Sequence, residues 1–73
     1  MKELDVRPIL NVGGEPFDKI MAFVTDLPPG EGFRLWAIFK PDPLLAVLAH
    51  KGYQGRAMEM DDGSWAVDFV PTV

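Results

Sequence analysis

The residue types that most often carry chemistry are thin in this chain. It holds one histidine, His50, and no cysteine. A thiol nucleophile, a persulfide, a thiolate metal site and a disulfide are therefore excluded. His50 is a lone candidate for a metal or haem ligand or a pH-sensitive group. Its other reading is a cation in the last turn of a helix, where positive charge complements the dipole. Asp61-Asp62 offers oxygens to a hard cation, but calcium takes about six to eight, and Gly63 makes a turn the simpler account. Ser64, Thr25 and Thr72 have no base placed to complete a triad. Asp5, Glu31 and Glu59 show no pairing suited to general acid–base work. No enzyme chemistry and no bound cofactor are expected.

One further feature bears on ligands. Gly13-Gly14 precedes a helix and exposes backbone N–H groups, which an anion could use. The spacing is that of neither a phosphate loop nor a dinucleotide fingerprint, and Glu15 would repel an anion there. A plain linker with a free helix start is the alternative. Arg7, Asn11, Gly13, Gly14 and Glu15 together form the candidate groove for a ligand or partner.

The elements that must position these residues are legible from spacing. Leu4 and Val6 alternate with Glu3, Asp5 and Arg7 as a half-buried strand, and Pro8 ends its pairing. Residues 9–14 read as a connection punctuated by the glycine pair. Pro16 suits a first helical turn. Phe17, Ile20, Met21, Val24 and Leu27 then recur at helical spacing, which predicts a helix from about 15 to 27. Pro28-Pro29-Gly30 stops it. Phe33 to Phe39 reads as a central strand. Asp42-Pro43 opens a second, strongly apolar helix that closes at Gly52. Ala57 to Met60 is a third strand, Asp62-Gly63 a hairpin turn, and Trp65 to Phe69 a fourth strand.

This order, βαβαββ, predicts an α+β fold: a two-layer sandwich of a four-stranded mixed sheet with two helices on one face. The first two strands should be parallel and the last two antiparallel. With 73 residues the chain has room for one domain, 1–73. No apolar run reaches the roughly 18 residues of a membrane helix, so no membrane association is expected.

A net charge of −4 and a pI of about 4.6 argue against nucleic acid, which demands clustered positive charge. The basic residues Lys2, Arg7, Lys19, Arg34, Lys40, Lys51 and Arg56 are scattered singly. The lack of cysteine fits a reducing cytoplasm.

The second strand is two-faced. Phe33, Leu35, Ala37 and Phe39 alternate with Arg34, Trp36, Ile38 and Lys40, so both faces carry apolar bulk. Helices cover one face only, which leaves apolar area open to a partner protein or a second copy of the chain. Arg34, Trp36, Ile38 and Phe39 are the candidate interaction face. Cover by Val70 to Val73, or by the side chains of Arg34 and Arg56, is the competing reading.

Several short segments resemble the TusA-like (SirA-like) sulfur-carrier superfamily. Leu4-Asp5-Val6-Arg7 is similar to its opening Leu-Asp-x-Arg, and Glu15-Pro16 falls at the end of its Cys-Pro-x-Pro motif. Leu27 to Glu31, Leu-Pro-Pro-Gly-Glu, matches the turn before its second strand. Pro41-Asp42-Pro43 resembles its Asp-Asp-Pro helix entry, and Gly52-Tyr53 stands where it often has Gly-His. The resemblance spans nearly the whole chain and implies the same βαβαββ fold. The carriers hold a persulfide on a cysteine at the head of the first helix. Asn11-Val12-Gly13-Gly14, about two residues longer, stands in that place, and carrier activity is not implied.

The closer likeness is to a cysteine-free branch of unknown function, whose members occur alone or fused to redox and metal-binding domains. That branch has a histidine near the second helix start, where this chain has Lys40-Pro41-Asp42. The two-faced second strand on this fold leads to the expectation of a non-enzymatic protein-interaction or regulatory module, and the branch's fusions with the free helix start near Gly14 motivate the alternative, a small-molecule or metal-binding accessory domain for a redox partner.

Overall fold

A computed structural model describes residues 1–72 of the chain. The elements run β1 (Lys2–Asp5), α1 (Arg7–Asn11), α2 (Phe17–Thr25), β2 (Phe33–Ala37), α3 (Asp42–His50), β3 (Tyr53–Glu59) and β4 (Trp65–Pro71). The fold is α+β, with one four-stranded mixed sheet in the order β1-β2-β4-β3. As expected, β1 and β2 are parallel, with Leu4 opposite Leu35. Also as expected, β3 and β4 are antiparallel, with Ala57 opposite Val67.

The centre of the sheet is held by rings. Phe33 of β2 lies opposite Phe69 of β4, and the two stack with centroids 5.1 Å apart. Phe23 of α2 meets Phe33 at 5.4 Å, and Tyr53 meets it edge-on at 6.2 Å. Leu35, Leu48 and Val67 complete a core at 0–1% exposure. Ile20, the one buried residue of α2, and Met21 and Val24 beside it pack on that core. Helices α2 and α3 therefore cover the same sheet face, the one that carries Phe33, Leu35 and Ala37.

The structure adds a helix. The connection expected over 9–14 is in part α1, a five-residue turn of helix. Pro8 stands in its first turn, where a missing N–H costs no bond, and the Asp5 carboxylate accepts the Arg7 N–H at 2.9 Å. Val6, just before the helix, is buried at 1% exposure. A helix this short shows no apolar period, so spacing could not reveal it. Gly13 ends it in the left-handed region at φ +78°, with its N–H on the Leu10 carbonyl at 3.0 Å, a geometry that favours glycine.

Other boundaries moved modestly. α2 begins at Phe17, with Pro16 just outside it. β2 ends at Ala37, so Ile38 and Phe39 lie in a bend beyond the strand. β3 starts four residues earlier than its apolar alternation suggested, because its polar and small residues pair with the tail of β4.

Gly55 in β3 marks a close approach. A Cβ there would run into Leu45 of α3 and come within 2.7 Å of the Phe69 ring. Glycine at this site lets α3 sit down on the sheet. Gly55→Val should therefore destabilise the domain by about 1–3 kcal/mol, read as a fall of roughly 4–8 °C in melting temperature per kcal/mol. An unchanged melting temperature by circular dichroism would show that α3 yields without cost.

Candidate apolar cleft and open sheet face

Two surfaces collect the residues singled out by sequence. The first is a cleft of about 310 Å³ beyond the carboxyl ends of the parallel strands β1 and β2. Its floor is Leu35, Ala37 and Ile20, and Val6 and Leu10 form the α1 side. The short Ala37 side chain keeps the floor low. Pro16, at the start of α2, and Pro41 and Pro43, at the start of α3, form further walls with Leu44. Proline rings thus stand where polar capping side chains are common, which makes the walls apolar.

Phe17 and Phe39 frame the cleft and are 42% and 51% exposed. Glu15 is the one charged residue lining it. Its Oε1 accepts the Phe17 N–H at 2.8 Å, so the carboxylate satisfies the first free donor of α2. Lys40 stands between Phe39 and Pro41 and lies 3.6 Å from the Asp42 carboxylate.

The second surface is the sheet face away from the helices. Trp36 lies here, and it is not bare. Its Nε1–H donates to Glu3 Oε1 at 2.7 Å. The Arg7 guanidinium lies 5.0 Å from the ring centroid and that of Arg34 lies 5.7 Å away, close enough for cation–π attraction. Each arginine is itself held by a carboxylate in a fork geometry. Arg7 donates to both oxygens of Asp5 at 2.9 and 2.8 Å, and Arg34 to both of Asp68 at 2.6 and 2.9 Å. Val70, 42% exposed, and Met1 are large apolar side chains left open farther along. Arg34, one of the side chains expected to cover this face, lies over the Trp36 ring. Val73, part of the other proposed cover, lies outside the described residues.

These placements regroup the candidate residues. From the expected groove only Glu15 lines the cleft. Arg7 is turned to Trp36, and Asn11, Gly13 and Gly14 form the exposed end and turn of α1. From the expected interaction face, Arg34 and Trp36 share the open sheet face. Phe39 lines the cleft instead, and Ile38 is a partly exposed residue of the bend. Phe39 keeps the parity of Leu35 and Ala37 and so joins them at the cleft, while Ile38 lies beyond the last paired residue of β2. His50 is exposed at the far end of α3, about 9 Å along the helix axis from Leu44 of the cleft. Asp62 forms the hairpin turn, accepting the Ser64 N–H at 3.0 Å. Among the described residues no three of His, Cys, Asp and Glu gather to hold a metal ion.

The cleft was missed because its lining comes from four separate elements and three connections. One signal did exist: Phe17 and Phe39 are large apolar residues at the ends of elements whose interiors already fill the core.

The carboxylates on the open face carry a pH dependence. Hydrogen bonds from Arg34 hold Asp68 below the ordinary carboxylate value, and those from Arg7 do the same for Asp5. Hydrogen bonds from Ser64 lower Asp62. A depressed folded-state value means the stabilisation is present above the unfolded value of about 3.9 and is lost as pH falls through the folded one. Asp68→Asn should flatten the fall in melting temperature between about pH 4 and pH 2. An acid limb identical to that of wild type would remove Asp68 from the account.

No helix among the described residues is long and apolar enough to cross a membrane. No curated protein and no solved structure matches the chain. A family model described as "Uncharacterized conserved protein (DUF2249)" matches residues 3–71, from the first strand through the end of the last, and the chain belongs to that family.

Proposed function

We propose that this domain is a non-enzymatic protein-interaction module of TusA-like architecture, working through its apolar cleft and without sulfur-carrier activity. The observation that carries this reading is the pair of exposed phenylalanines, Phe17 and Phe39, framing an apolar recess. Large apolar side chains held open around a concave site mark binding surfaces, and aromatic anchors in pockets dominate interface energies. The open sheet face is a poorer surface for this purpose, because Arg7 and Arg34 are already held there by Asp5 and Asp68 beside the indole.

The helix start supports the absence of carrier chemistry. TusA-like carriers present a cysteine at the head of the first long helix. Here that region is the Gly13-Gly14 turn followed by Glu15, and the Glu15 carboxylate already occupies the Phe17 N–H. A thiolate is missing, and the helix start is occupied by a fixed negative charge.

The same recess supports a second reading, a small apolar ligand, because its volume of about 310 Å³ falls at the lower end of ligand sites, roughly 300–1,000 Å³. Native mass spectrometry of protein purified from its source separates the two, since a bound small molecule adds a discrete mass.

Affinity capture with Phe39→Asp, Phe17→Asp and Val70→Asp baits tests the main reading. Cleft variants should weaken a captured partner by roughly 30-fold, the size of a hot-spot loss, while Val70→Asp on the open face keeps it. All three positions are exposed, so melting temperatures should stay close to wild type. Loss of the partner with Val70→Asp and retention with Phe39→Asp would move the site to the sheet face.

A further inference from the structure

Resting on the cleft as a binding surface, the geometry points to the chemistry of its occupant: a partner segment that presents an apolar side chain with a lysine or arginine beside it. The apolar half of this assignment follows from the lining. Leu35, Ala37, Leu44 and the walls of proline offer no hydrogen-bonding side chain to a polar group, and burying such a group without a partner would weaken binding.

The basic half follows from charge. Glu15 is the one charged residue that lines the cleft, and it has no salt-bridge partner among the described residues. Its position is fixed, because Oε1 is held by the Phe17 N–H at 2.8 Å, which leaves Oε2 for a second donor. Lys40 and Asp42 at the mouth offset one another at 3.6 Å, so Glu15 sets the local sign. The chain as a whole carries −4, which favours approach by a cationic segment at low salt. An acidic segment would meet Glu15 as a like charge at the edge of the site.

Blocked peptides of one apolar pair in three settings test this directly: Gly-Lys-Leu-Phe-Lys-Gly, Gly-Ser-Leu-Phe-Ser-Gly and Gly-Glu-Leu-Phe-Glu-Gly. Each is titrated into the intact chain while backbone amide shifts of Leu10, Phe17, Phe39 and Leu44 are followed. The basic peptide should bind about fivefold more tightly than the neutral one, as one exposed ion pair allows, and the acidic peptide more weakly than either. The preference should shrink as salt is raised. Glu15→Gln keeps an oxygen for the Phe17 N–H, so it should abolish the preference while the melting temperature stays close to that of wild type. Equal binding of all three peptides at the cleft would overturn the charge assignment and leave the cleft as a binding surface. Shifts from none of them would overturn both. A preference that survives Glu15→Gln would also overturn the assignment, because the selecting charge would lie elsewhere.

Discussion

The stack of Phe33 on Phe69, 5.1 Å apart in the middle of the sheet, decides which face the helices cover. Both rings are fully buried, and neighbouring strands share one face, so Leu35, Ala37 and Val67 follow them under α2 and α3. Everything of opposite parity must then face away: Glu3 and Asp5 on β1, Arg34 and Trp36 on β2, Asp68 on β4. A domain of 73 residues has no third layer to cover that side. It is closed by its own charges, with one arginine–carboxylate fork at each side of the indole.

The cleft is the complement of the same arrangement. The helices have to reach the sheet where Phe33 and Phe69 are, and Gly55 leaves room there for Leu45 of α3 beside Phe69. At the other end of β2 the floor drops to Ala37, and both helix starts are built around proline. Apolar walls meet above a small floor residue, and a recess remains. Phe17 and Phe39 extend beyond the buried core and stay partly in water. Small domains tolerate such exposure poorly, since their net stability is small, which is why it carries weight as a sign of binding.

Much of the architecture was readable from residue spacing. The stripe from Phe17 to Leu27, the Pro-Pro-Gly stop, the Asp42-Pro43 helix start and the Asp62-Gly63 turn each name their element because they act locally. α1 was not readable, since five residues are too few to show a period and its stability comes from Asp5 and from the burial of Val6 beside it. The start of β3 was hidden for a related reason. Gln54, Gly55 and Arg56 have no strand signature of their own and become strand by pairing with β4.

By itself the sequence determined the α+β class, the parallel and antiparallel pairings, the absence of thiol chemistry and the two-faced character of β2. These depend on residue type, local periodicity and the handedness of chain connections. Which face of β2 would be open, and whether its tryptophan would be bare, were left to tertiary structure, because the answer rests on charges brought together from residues 3 to 68. The separation of Arg7 from Glu15 was decided the same way. Seven residues, the first four of them the rest of α1, lie between those two positions, enough to turn one to the indole on the open sheet face and the other to the cleft.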